Sequence, residues 1–372
     1  MQKPRLGAIE YIRGISMLGV IGIHVGSQYV QNPAANIHLL ALLEIVTRFS
    51  VPIFFFISAF GMFYNMDLQA PFVYKDFLKR RMKTVLIPYV VWSLFYILHY
   101  VASTGDASPL NPFTIGFDLF FGTASYQLYF MVILLWFYLM MPLWVWLVRR
   151  LSLKWLGLLV VFQVVFNDYS CLQLTHQGIE NFFLRSLIEY RMNYWVLHYL
   201  FIFVLGGYLA VHIDEFMAFM EKYRSQIVAV FWISMASLVG YYYWVIATRN
   251  YTALQGIFTA HQLCPAGIFY TIGASIFFFT IFTIWRLPEG LKPVLSLLGK
   301  HSYFMYLAHP VAITYLAMAL GDRAALMTAP MAAGFYVAVV AVTLLVSVAC
   351  RSLGEKLPVI NELTIGVYKK KK

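Results

Sequence analysis

Residues 8–31 read AIEYIRGISMLGVIGIHVGSQYVQ, a nearly unbroken apolar run whose charges fall near its start. A helix rises about 1.5 Å per residue, so about 20 such residues cross a hydrocarbon core of about 30 Å. Working outward, comparable runs recur at 39–64, 84–104, 126–148, 154–169, 193–212, 226–248, 262–284, 301–320 and 328–350, the fifth being short. The runs are continuously apolar instead of alternating. In lipid each backbone polar group must pair within its own segment, so this pattern predicts helices and not barrel strands. The expected fold class is all-α: a polytopic membrane helix bundle of about ten transmembrane helices, read as a single domain over 1–372. The first run has no small-residue cleavage site and is expected to stay as a permanent helix.

Composition points the same way. Hydrophobic residues make up 61% of the chain and charged ones 12%, against roughly half and a quarter in soluble domains, which excludes a water-soluble fold. The net charge of +11 sits in the short connections between apolar runs, so it reads as membrane topology and implies lipid, not nucleic acid, as the surrounding partner. With the N-terminus inside, Lys75–Lys83, Arg149–Lys154, Glu221–Arg224, Arg286–Lys300 and Lys369–Lys372 all fall on one side, and every lysine with them. The positive-inside rule then places both termini in the cytoplasm. Cys171, Cys264 and Cys350 have no metal-ligand spacing, so no metal is expected; buried thiols are the simpler reading, with a Cys171–Cys264 disulfide as the alternative.

Ionisable groups inside a membrane cost a few kcal/mol each by insertion scales, and the first two runs hold several. Glu10, Arg13 and His24 project from nearly one helical face, with about 16 Å of rise between Arg13 and His24. Taken singly, Glu10 and Arg13 read as an interfacial ion pair and His24 as a hydrogen-bonded core residue; together they suggest a functional face. Glu44 and Arg48 form an i,i+4 pair expected near the depth of His24, suited equally to tethering helices or to holding a substrate. Pro52 is expected to kink the second span, with Ser58 beyond it in the inner half. Arg80, Arg81 and Lys83 read either as topology anchors or as a site for a cytosolic anion such as a nucleotide-bearing cofactor. Tyr303, Tyr306 and His309 precede Pro310, which suggests a distorted helix lining a cavity. The connection from Asp168 to Asn193 carries Glu180, Arg185, Glu189, Tyr190 and Arg191, and serves either as a linker or as a carbohydrate cradle.

These residues resemble the acyltransferase-3 family of bacterial integral membrane acyltransferases. The resemblance rests on Glu10-x-x-Arg13-Gly14 with ten residues between Arg13 and His24, and on the Phe54–Phe60 segment. It extends through Arg80-Arg81-x-Lys83-x-x-x-Ile87-Pro88-Tyr89 and Ser302-Tyr303-x-x-Tyr306-Leu307-x-His309-Pro310, covering essentially the whole chain. Within the family the chain is similar to the branch that modifies surface polysaccharides, including the biofilm poly-N-acetylglucosamine acyltransferases. Ala59, Lys83, Glu10 and Gln127-Leu128-Tyr129 depart from the family's usual Gly, Arg, Asp and His-Leu-Trp.

The resemblance implies a bacterial plasma-membrane enzyme that moves an acetyl or succinyl group from cytosolic acyl-coenzyme A, its donor, to a hydroxyl of an extracytoplasmic polysaccharide or glycolipid. A polysaccharide synthase is a possible partner. His24, Arg13 and Glu10 are the implied catalytic group, with His24 as general base. Arg13, Arg80, Arg81, Lys83 and Ser58 are the implied cofactor contacts, and Glu44, Arg48, Tyr129, His309 and Tyr306 the substrate contacts. The competing reading is a glycan exporter or flippase, which would also carry charges at mid-depth and proline-broken helices.

Overall fold

The computed structural model describes residues 6–30, 36–67, 69–324 and 327–368. The Lys369–Lys372 tail, used in the topology reading, lies outside the described residues, as does residue 31 at the end of the first apolar run. The described chain is helical throughout, with no strand among those residues. In order, the α-helices are α1 Gly7–Val30, α2 Ile37–Thr47, α3 Ser50–Tyr64, α4 Tyr74–Arg81, α5 Ile87–Thr104, α6 Pro112–Phe121, α7 Tyr129–Leu139, α8 Met141–Arg150 and α9 Leu153–Asp168. There follow α10 Phe182–Glu189, α11 Leu200–Val211, α12 Ile213–Lys222, α13 Arg224–Arg249, α14 Ala253–Thr259, α15 Pro265–Ile284, α16 Leu291–Leu320, α17 Ala329–Lys356 and α18 Pro358–Ile365.

Among the described residues eight helices are long and apolar enough to cross a membrane, and ten spans result if two bent pairs each count once. The first pair is the fourth expected span, bent by 66° between α7 and α8, where Pro142 cannot continue the hydrogen-bond ladder. In the second pair α11 occupies the sixth expected span, 193–212, and α12 lies beyond its end at a bend of 96°. The short fifth run proves longer than the sequence suggested, reaching Gln173 through a π-helical turn at Tyr169–Gln173. The third also starts early, α4 running through a π-turn at Met82–Leu86 into α5.

Two compact units divide the chain: Met1–Asp67, Ser152–Asp168 and Tyr199–Leu345 form the first, and Leu68–Leu151, Tyr169–His198 and Val346–Lys372 the second. In the first unit, α1 packs along α16. A Cβ on Gly14 would sit 2.8 Å from the Leu295 carbonyl, and one on Gly299 would strike the Glu10 carbonyl, so only glycine admits backbones this close. Glu10 lies beside Ser296 and His24 beside His309, so the two helices run parallel. In contrast α2 and α3 run antiparallel to α1, with Gly26 against Glu44 and Gly19 against Ser50.

In the second unit the C-terminal segment docks on the basic region. Trp92 Nε1 donates to the Thr364 carbonyl at 3.1 Å and the Tyr368 hydroxyl to the Lys83 carbonyl at 3.2 Å. Gly366 makes the intervening turn with φ 63° against the Thr84 backbone, where any Cβ would collide.

Candidate active site

The second span is broken at its charged pair. α2 ends at Thr47 and α3 starts at Ser50, so Pro52 falls in the first turn of a new helix, where its missing N–H costs nothing. The helical hydrogen-bond ladder is interrupted at Arg48 and Phe49, whose backbone angles stay helical, and not at Pro52, where the sequence placed a kink. The Tyr270 hydroxyl of α15 donates to the Val46 carbonyl at 2.8 Å, satisfying an acceptor that the break releases. The break holds Arg48 Nη2 on Glu44 Oε2 at 2.7 Å, with the two side chains 14% and 8% exposed. A pair this buried is a short charge-assisted contact, not a solvated surface bridge.

On α16, Pro310 has no N–H for the Tyr306 carbonyl. The His309 ring takes over that role, its Nδ1 lying 2.8 Å from the Tyr306 carbonyl and 3.2 Å from that of Met305. A carbonyl only accepts, so Nδ1 carries the proton and Nε2 is the basic nitrogen of the neutral ring. The helix stays continuous through Pro310 because this local bond replaces the lost one. The fully buried His309 ring stacks on His24 with centroids 5.1 Å apart and planes 29° from parallel. Arg48 is within electrostatic reach of His24, and the Glu44 side chain packs against Gly26 two residues beyond it. Four sequence candidates, His24, Glu44, Arg48 and His309, thus meet at one end of the first unit. Tyr306 lies one turn along the same helix, 6.1 Å from His309 by ring centroids.

Glu10 and Arg13 occupy the other end. The Ser296 hydroxyl donates to Glu10 Oε1 at 3.0 Å, while Arg13 is exposed on the flank of the same face. Ser58 is half-buried on α3, three residues before Gly61, whose added Cβ would lie 4.0 Å from Ile9. Arg80, Arg81, Lys83 and Tyr129 belong to the second unit. There Arg80 is exposed, the Arg81 guanidinium lies 5.1 Å from the Tyr138 ring and 5.4 Å from that of Phe77, and Lys83 lies 5.5 Å from the Tyr368 ring. Tyr129, half-buried, begins α7. The long connection in this unit is internally tied: Arg191 donates to the carbonyls of Ser170, Leu174 and Ile188, and Ser170 Oγ pairs with His198 Nε2 at 2.9 Å.

His261 escaped the sequence reading. It stands in the turn between α14 and α15, just outside the apolar run that began at 262, and α14 packs against α2. Its Nδ1 accepts the Leu263 N–H at 3.0 Å, which leaves Nε2 protonated in the neutral ring. Burial, with Arg48 as a second cause, pulls its pKa down to about 4. The only local hint was a histidine four residues before Pro265; its closeness to Arg48 required the fold. Gln163 and Asn167 were also overlooked. Gln163 Nε2 donates to Asn167 Oδ1 and its Oε1 accepts the Phe201 N–H, both at 2.9 Å, which satisfies a free donor at the start of α11.

Among the described residues no cluster of three metal-ligating side chains occurs, and no disulfide joins the cysteines. A buried imidazole pair beside a guanidinium, inside an apolar bundle, is equipped to move a proton and stabilise a developing negative charge. The family model described as an acyltransferase domain matches residues 6–351, and the chain belongs to this acyltransferase-3 family of membrane acyltransferases. It is also similar to a probable poly-beta-1,6-N-acetyl-D-glucosamine export protein of Staphylococcus epidermidis, 23% identical over 324 residues that cover 85% of this chain and 83% of the relative. The same match is found in strain RP62A of that species. No solved structure matches.

Proposed function

We propose that this protein transfers an acetyl or succinyl group from acyl-coenzyme A to a hydroxyl of an extracytoplasmic polysaccharide or glycolipid. We place it in a bacterial plasma membrane with both termini cytoplasmic, acting as one functional domain and working beside a polysaccharide synthase. The observation that carries the reading is the convergence of His24, His309 and the Glu44–Arg48 pair within one unit.

His24 takes the proton of the acceptor hydroxyl as its oxygen attacks the thioester carbonyl. The Arg48 guanidinium stabilises the oxyanion, and Glu44 holds that guanidinium in place. Collapse breaks the C–S bond, and the coenzyme A thiolate leaves and is protonated by the imidazolium, returning His24 to its basic form. His309, locked in one tautomer by the Tyr306 carbonyl, orients the His24 ring by stacking. Tyr306 and Tyr129 are assigned to the acceptor sugar. Arg13, Ser58 and Glu10 are assigned to the donor, and Arg80, Arg81 and Lys83 are assigned to its phosphates. Arg80 is exposed and so accessible to a soluble donor.

The test is purified protein given radiolabelled acetyl- or succinyl-coenzyme A with and without poly-N-acetylglucosamine oligosaccharides. Acceptor-dependent release of coenzyme A and labelled glycan are expected. Export of glycan is the second reading, favoured by the name of the staphylococcal relative. Glycan movement across proteoliposomes with no acyl transfer would establish that reading instead.

A further inference from the structure

The first unit contains a cavity away from the imidazole pair. Its volume is about 610 Å³ and its walls are Arg224, Ser225, Val228, Ile284, Trp285 and Arg286. It forms where the start of α13 meets the end of α15, below the stacked rings of Phe231 and Phe277, whose centroids are 4.0 Å apart. Phe282, two residues before Ile284, makes an edge contact with Tyr11 of α1 at 5.7 Å. The cavity therefore lies at the end of the unit that holds Glu10 and Arg13, opposite His24.

Arg224 and Arg286, both exposed to solvent, line one volume with no carboxylate among its walls. Among the described residues neither the Arg224 nor the Arg286 side chain makes a hydrogen bond or an ion pair. Like charges brought together without a counter-charge repel, and an anion in the cavity would offset that repulsion. Arginine forks match phosphate oxygens two at a time, and the Ser225 hydroxyl adds a neutral donor. The remaining walls are apolar. Val228 and Ile284 continue into an exposed strip of α13 where Val230, Trp232 and Ile233 are 42%, 55% and 58% accessible, a surface suited to acyl chains. Trp285, 46% exposed at the rim, has the amphipathic character of a headgroup-level anchor.

We infer that this cavity binds a phosphate group, carried by an anionic phospholipid headgroup or by a soluble phosphate ester. The inference does not rest on the acyltransferase reading, because it uses none of the residues assigned to that chemistry.

The experiment uses the full chain in nanodiscs with two probes: retention of phosphatidylglycerol over phosphatidylcholine by native mass spectrometry, and equilibrium dialysis of adenosine 3′,5′-bisphosphate. Wild-type protein is expected to bind at least one probe. Arg224→Gln/Arg286→Gln should lower that binding at least ten-fold, and the paired lysine variant should restore part of it. Ser225→Glu, which leaves both arginines in place and adds a negative charge, should also expel the probe, and it serves where the double variant fails to fold. Loss confined to the lipid identifies a headgroup site, and loss confined to the nucleotide identifies a soluble ligand; either outcome supports the inference. Binding of neither probe by wild type, or unchanged binding in folded Ser225→Glu protein, would overturn it.

Discussion

Arg48 and Arg80 carry the same side chain in opposite surroundings. Arg48 is 14% exposed, sits at the break between α2 and α3, and is held at 2.7 Å by Glu44. Arg80 is exposed on the last turn of α4, beside Lys79 and Arg81. An exposed guanidinium keeps its hydration and costs little to place, so the membrane's charge asymmetry is reason enough for it. A buried one has lost that hydration and persists only where a partner compensates. Chemistry is concentrated where solvent is excluded: the desolvated arginine has a strong field to offer a reacting carbonyl, whereas the solvated one offers mainly attraction.

The largest expected effect tests the buried side of this contrast. His24→Ala should insert and bind acyl-coenzyme A while losing roughly 10²- to 10⁴-fold in turnover, read from labelled acyl transfer. His24→Gln should fail equally, because an amide does not take a proton at neutral pH. If His24→Ala acylates glycan like wild type while Glu44 or Arg48 variants abolish glycan export, the export reading replaces the acyltransferase mechanism.

Next in size is the pair itself. Arg48→Ala leaves Glu44 buried without its cation and should cost about 3–5 kcal/mol of stability, followed by thermal unfolding in detergent. Glu44→Leu/Arg48→Leu should recover most of that loss yet remain inactive. Recovery of activity with stability would make the pair a tether alone.

A smaller effect is expected at His261, whose folded pKa of about 4 is below its ordinary value of 6.5. Between those values the unfolded chain binds the proton and the folded chain does not. The stability from the neutral ring is thus complete above about pH 6.5 and is lost progressively as pH falls toward 4. His261→Gln should flatten that acid limb in melts taken across the window, and an unchanged slope would show that His261 is solvated in the folded state.

The smallest stability change belongs to the exposed cations. Arg80→Ala should alter the melt by no more than about 0.5 kcal/mol. Replacing Arg80, Arg81 and Lys83 together should raise the Michaelis constant for acyl-coenzyme A several-fold more than it lowers turnover. Unchanged donor binding combined with misinsertion would leave these residues as topology anchors.

The all-helical membrane class is legible from the residues alone, because apolar run length and backbone pairing in lipid leave few alternatives. The family is legible there too, since the Arg13, His24, Arg80 and His309 segments are local strings. Even the helix breaks left traces in Pro52, Pro142 and Pro310, although their consequences differed. Pro52 starts a helix, Pro142 accompanies a 66° bend, and Pro310 is absorbed because His309 satisfies the carbonyl it frees.

Which of these residues meet depends on how the helices pack. His24 and His309 are 285 positions apart and stack because Gly14 and Gly299 let α1 and α16 run close and parallel. Periodicity gives each helix its own facing but carries nothing about which helix lies opposite, and that choice depends on side chains distant in sequence. His261 shows the same limit, since its desolvation and its closeness to Arg48 follow from α14 packing on α2 and from no feature of its own segment.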